Sequence, residues 1–177
     1  MMKRALPLLG IFLASGIAVA SAQGAAPNDA QIAAIVVTAN QVDIDAGKLA
    51  ERKAHSKAVR AFGKRMVTDH SGVNRSAIEL AHRLHLTPES NPTSESLKQG
   101  GEQNLATLRG LRGAAFDKAY IDHEVAYHQA VLDAMDKELI PNAQNPELKA
   151  LLVKVRPAFV DHLEHAKMIQ SSLAGHD

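Results

Sequence analysis

The sequence predicts an all-α protein: a four-helix bundle with a long, partly helical connection between the second and third long helices. Three observations predict it. Apolar residues recur at three- and four-residue spacing over four long stretches, no stretch alternates with a period of two, and glycines and prolines gather between the stretches. A bundle with one long crossover has the ferritin-like connectivity.

The first helix starts at Asn28, a residue that caps helix N-termini, and carries Ile32, Val36, Ala39, Val42, Ala46, Leu49 and Ala50 inward to about Ala54. The second starts near Ser56, presents Val59, Gly63, Met66, Val73, Ala77, Ala81 and Leu84, and stops before Pro88. Pro92, Gly100, Gly101, Gly110 and Gly113 mark the connection, which holds one short helix from about Ser94 to Arg109. The third runs from about Ala114 to Leu139 with Ile121, Val131, Leu132, Met135 and Leu139 inward, ending before Pro141. The fourth opens on Asn145-Pro146-Glu147, a cap, a first-turn proline and a first-turn acid. It continues to about Leu173 with Leu148, Leu151, Val155, Ala158, Ile169 and Leu173 inward, and Pro157 is expected to kink it.

The first 22 residues have the form of an export signal: basic Lys3 and Arg4, an apolar run from Ala5 to Ala20, and the small-x-small site Ala20-Ser21-Ala22. Residues 23–177 then form one mature domain, exported to the periplasm or beyond the cell. Cleavage leaves 18 basic residues against 19 acidic ones, so nothing points to nucleic acid. No later stretch has the length of a transmembrane helix, and barrel-type strands are missing. No cysteine means no disulfide, no thiolate ligand and no cysteine nucleophile. No partner is encoded in any motif, and a homo-oligomer stays open.

Nine histidines are the chemical excess. On a helical wheel His70 falls within about 40° of Val59, Met66, Ala77 and Leu84. His128 lies in line with Asp117, Ile121, Glu124 and Met135, His162 with Val155, Ala158, Ala166 and Ile169, and Asp43 with Val36, Ala39, Ala46 and Ala50. All four are close to the middle of their helices, so they meet at one bundle level whichever way each helix runs. Buried ionisable groups need pairing or a metal. In one arrangement His70, His128 and His162 hold a transition metal (Fe, Mn, Zn or Cu), with Asp43 and Glu124 as candidate further ligands. In the other the histidines bond Asp43, Asp69, Asp117, Glu124 and Tyr120 in a satisfied polar layer. His165 sits at the flank of the fourth stripe. His123 is placed on the outer face, while His55, His85 and His176 lie near helix ends or the tail.

Glu79 and His82 form the one Glu-x-x-His pair, and it points away from His70, so the paired motif of di-iron carboxylate sites is missing. There is no nucleophile elbow, phosphate loop or dinucleotide fingerprint. No catalytic group or reaction is readable. The functional expectation is metal handling or defence against oxidants and stress. The alternative is a non-enzymatic envelope interaction or stress-survival module with structural histidines.

The run Val59-Arg60-Ala61-Phe62-Gly63-Lys64-Arg65-Met66-Val67-Thr68-Asp69-His70 resembles the core motif of domain-of-unknown-function family 4142, a group of exported bacterial proteins. Phe116-Asp117-Lys118-Ala119-Tyr120-Ile121 with His128 downstream, and Pro157 followed by His162-Leu163, extend the resemblance over nearly the whole mature chain. It implies a ferritin-like bundle and bacterial export, with Asp43 standing where the family carries a glutamate. It implies no activity.

Overall fold

The structure, a computed structural model, describes residues 26–175, which form helices and their connections with no strand among them. The export signal expected at residues 1–22, and His176, lie outside the described residues. Helix α1 spans Asp29–Lys53, α2 Lys57–Arg83, α3 Pro92–Gly110, α4 Gly113–Ala134, α5 the single turn Ile140–Asn142, and α6 Pro146–Ala174.

Capping chemistry sets the starts. Asn28 and Gln31 form a reciprocal box at α1. Asn145 accepts from the Glu147 and Leu148 amides at α6. The same pairing of asparagine and proline stands at Asn91-Pro92, where the Asn91 side chain accepts from the Thr93 and Ser94 amides. It starts α3 two residues before the expected Ser94, and the helix runs as expected through Gly100 and Gly101, ending at Gly110. Gly101 is used for contact, because a Cβ there would lie 2.7 Å from a Val42 methyl on α1. Gly47 and Gly63 do the same between α1 and α2, where a Cβ on Gly47 would meet the Gly63 carbonyl at 2.7 Å.

One helix end falls where expected, before Pro88, and one does not. Helix α2 stops at Arg83, with His85 in the left-handed region at φ 53° and the Leu86 amide reaching back to the Ala81 carbonyl. At the end of α4 the chain does not stop before Pro141. Proline cannot donate to the carbonyl one turn back, and the helix widens into a π-helical turn over Met135–Leu139, the Ile140 amide bonding to the Met135 carbonyl, before the turn of α5. Helix α6 runs through Pro157, which lies on its exposed side, four residues after exposed Val153.

The directions follow from end contacts. The Glu89 amide bonds to Ala30 at the start of α1, so α2 runs antiparallel to α1. The Lys53 ammonium, at the end of α1, caps the Leu108 and Arg109 carbonyls at 3.1 and 2.6 Å, so α3 runs back alongside α1. Asp117 near the start of α4 accepts from the His55 and Ser56 amides, and Asp29 accepts from Gln144 and Asn145 before α6. Helices α2 and α4 are therefore parallel, with α3 as the full-length crossover of a ferritin-like connectivity. Because α3 covers a second face of α1, Ala33, Ala34 and Ile35 are buried in addition to the predicted stripe, and Gly47 is buried against Gly63 of α2.

Two apolar clusters fill the bundle. One holds Ile32, Leu80, Leu132, Leu139, Leu152 and Phe159. The other, towards the α1–α2 connection, holds Leu49, Phe62, Met66, Phe116, Ile121 and Ile169. Between them lies a polar layer. No helix among the described residues is long and apolar enough to cross a membrane.

Candidate metal centre

Asp43 from α1, His70 from α2, Glu124 and His128 from α4 and His162 from α6 all lie in that layer, each no more than 3% exposed. The three imidazole centroids are 5.2 to 5.6 Å apart. His70 Nε2 is 3.2 Å and His128 Nε2 is 3.7 Å from Asp43 Oδ2, and His128 Nδ1 is 3.5 Å from Glu124 Oε2. All five predicted residues are thus brought together.

The partners of each ring decide its tautomer. Asn40 donates its amide to the Val36 carbonyl at 2.8 Å, which turns its oxygen towards His70 Nδ1 at 2.7 Å. That nitrogen must carry the proton. His128 Nδ1 faces the Glu124 backbone carbonyl at 3.0 Å, and His162 Nε2 faces the Asp69 carboxylate at 2.9 Å. Both partners can only accept, so both nitrogens donate. The remaining nitrogens, His70 Nε2, His128 Nε2 and His162 Nδ1, make no hydrogen bond, and these bare lone pairs all belong to the core cluster.

Electrostatics keep the rings in that form. Burial pulls His70, His128 and His162 down to about 4, outweighing Asp69 at His70, Asp43 at His128 and the Asp69 bond at His162, so all three are neutral at pH 7. Burial pushes Glu124 well above the usual carboxylate range, and the neighbouring Asp43 charge adds to it. Asp43 is raised by burial as well, held back by His128 and Glu124. Tyr120, buried beside this pair, is raised well above its usual value. At Asp69 burial pushes up, but the His162 ring and the Arg65 guanidinium hold the carboxyl below its ordinary value.

A satisfied polar layer would give every lone pair a donor. Here three ring nitrogens are buried without a hydrogen bond, while the Asp43 and Glu124 carboxyls face one another and the Tyr120 hydroxyl. Their donor chemistry fits a cation. Each histidine offers one nitrogen, and the three lie within 4.8 Å of one another, which puts their midpoint within about 2.8 Å of each, against about 2.0 to 2.1 Å for a metal–imidazole bond. A small ring movement closes the gap. Asp43, Glu124 and His128 form a second group of the same compactness.

Other placements correct the sequence reading. Asp117 caps the start of α2 and takes no part in the layer. Ala158 is exposed, because the buried line of α6 through Leu152, Phe159, Leu163 and Ala166 is about 110° away from it. His123 is half-buried rather than outward, stacked on Tyr127 with centroids 5.5 Å apart. His165 packs edge-on against Phe62, and Glu79 and His82 are exposed. Asn40 and Phe159, which orients and which stacks on His70 at 5.1 Å, were not anticipated. Asn40 had a signal: it is a polar residue on the same inward line as Asp43, three residues earlier.

The chain belongs to the family described as Domain of unknown function (DUF4142), which it matches over residues 14–169. No curated protein matches it. Among solved structures it is similar to "CopM in the Cu(II)-bound form", at 13% identity and a TM-score of 0.64, covering 83% of this chain and 98% of that one. That likeness concerns the fold.

Proposed function

Starting from a member of this family whose core holds three imidazole nitrogens without a hydrogen bond, we propose that the protein binds one divalent transition metal through His70 Nε2, His128 Nε2 and His162 Nδ1, with Asp43 as the fourth ligand. The observation that supports this reading is the donor inventory. Three imidazoles have one nitrogen each bonded to an outer partner and the other bare in the core, one nitrogen of each ring lies within 4.8 Å of the others, and a buried carboxylate stands beside them. A single water has two protons to give there, whereas a cation engages all four groups. Asn40, the Glu124 carbonyl and Asp69 are the outer partners that hold the rings, as carboxylates and carbonyls do around metal-bound histidines. Burial and the neighbouring Asp43 charge raise Glu124, which favours its neutral form and a low charge at the centre.

A donor set of three nitrogens and one oxygen suits Zn, Cu, Fe and Mn, and affinity in that series peaks at Cu(II). Cu(II) is also the ion of the Cu(II)-bound structural relative, which makes it the first to test. When bound, such an ion supplies a Lewis acid or redox centre. The residues of this chain hold it, exclude bulk water and set the ring orientation. The setting we propose is the periplasm, reached through the export signal read at residues 1–22, and the role is metal handling or defence against oxidants.

Metal analysis of the untagged protein, offered Cu(II), Zn(II), Fe(II) and Mn(II) in turn, tests the proposal. The expected result is one equivalent of a metal in the wild type, lost in His128→Ala. Equal metal content in the two proteins overturns it.

A further inference from the structure

The charge of the chain is balanced in number but not in place. Two connections lie side by side at one end of the bundle: the Lys53 ammonium caps the Leu108 and Arg109 carbonyls, and Asp117 accepts from the His55 and Ser56 amides. This end carries Arg52, Lys57, Arg60, Lys64, Arg109 and Arg112, all exposed. Among the described residues none of the six takes part in an ion pair. The acids that could answer them are engaged elsewhere. Asp117 is buried under two amides, Asp122 is held by Lys118, and Asp69 and Asp161 share Arg65. Glu51, half-buried, stands against the six.

The opposite end, about 40 Å away along the 27 residues of α2, has the other sign. Arg83, Lys137 and Arg156 are paired there with Glu147, Asp133 and Asp136, while Glu89, Glu95 and Glu138 are exposed without an ion pair. A near-neutral protein is thus a rod with a basic end and an acidic one.

We propose that the basic end is a docking surface for an anionic lipid membrane, on which the bundle stands upright. The layout selects the partner. The cations cover an end face rather than a track, and the hollow among them, lined by Glu51, Lys57, Arg60, Ala61 and Lys64, is open and shallow. Nucleic acid is bound along grooves with rings for stacking, and no Phe or Tyr among the described residues is exposed. A planar anionic surface meets the whole end at once. At physiological salt exposed charges are screened beyond about 8 Å, so the distant acidic end does not offset the attraction, and it keeps the bundle from lying flat. The periplasmic setting proposed above puts membranes within reach. The surface is separate from the metal centre and needs no metal.

The test uses residues 23–177, which keep every described helix and lack the apolar run Ala5 to Ala20 that would itself enter a bilayer. Sedimentation with vesicles is expected to show binding to phosphatidylglycerol and none to phosphatidylcholine. Binding should vanish near about 1 M salt, where the screening length is about 3 Å. Arg52→Gln/Lys57→Gln/Arg112→Gln, which alters side chains without a hydrogen bond, should bind about a hundredfold more weakly, each cation near the surface being worth about fivefold. Arg75→Gln/Lys98→Gln/Lys154→Gln removes the same charge from exposed positions away from this end and should stay within about twofold of wild type. Equal weakening of the two folded variants overturns the proposal, as do equal affinity for the two lipids, no binding to phosphatidylglycerol, or binding that survives high salt. Duplex DNA bound in place of vesicles overturns the assignment to lipid.

Discussion

Asp117 and Asp43 are both buried aspartates, 1% and 2% exposed, in the same bundle. Asp117 accepts from the His55 and Ser56 amides at 2.9 and 2.6 Å, the first donors of the turn into α2. Its burial is answered by the backbone, and the result is a fixed connection. Asp43 faces the unprotonated nitrogens of two histidines and the carboxyl of Glu124. Burial alone therefore says little about role. What separates a structural carboxylate from a ligand is the count of donors around it.

The comparison can be broken most directly by removing each carboxylate. Asp117→Ala removes the acceptor of two part-buried amides at the turn into α2 and leaves a cavity, and should cost about 2 kcal/mol of unfolding free energy, with or without metal. Asp43→Asn brings an N–H to lone pairs that lack a donor, so metal-free stability should hold within about 1 kcal/mol or rise, while the rise in melting temperature on adding metal disappears. Chemical denaturation of both variants checks this. Equal destabilisation would erase the distinction.

A smaller effect is expected one bond further out. Asp69→Asn keeps an acceptor for His162 but loses the charge, and should weaken metal binding about tenfold or more, read by competition with a chelator. An unchanged affinity would mean that the His162 ring is held by packing alone.

A further effect concerns pH. The three histidines sit near 4 when folded against 6.5 when free, so the stability they contribute is present above pH 6.5 and lost as pH falls towards 4. Glu124 acts in the opposite sense: its folded value is raised, so its contribution is present at low pH and lost as pH rises. Glu124→Gln removes that opposition. The melting temperature of the metal-free variant should fall more steeply than wild type between pH 6.5 and 4, and parallel profiles would contradict the assignment.

Much of this was legible in the chain. The apolar spacing and the Asn145-Pro146 cap give α6 its start, and a histidine among Val59, Met66 and Ala77 can only point inward. Depth was legible too, because residues at the middle of every helix share a level. The tautomers were not, since they depend on where Asn40, Asp69 and one backbone carbonyl fall after packing. Helix α3 was legible to within two residues at each end; not legible was that Gly101, a weak helix former, serves as the contact for Val42 and that the Asn91-Pro92 cap sets the start. The basic end has no linear signature, because Arg109 and Arg112 join Arg52 and Lys57 only once the two connections lie side by side.

The order of the helices has a last consequence, for folding. Helices α1 and α2 form one hairpin and α4 with α6 another, each built from contacts close in sequence and so quick to form. Asp43 and His70 belong to the first hairpin, Glu124, His128 and His162 to the second. Neither half can hold an ion by itself with the set assembled here. A bound metal would therefore act as a clasp across the seam, drawing its affinity from the docking of the halves and slowing their separation.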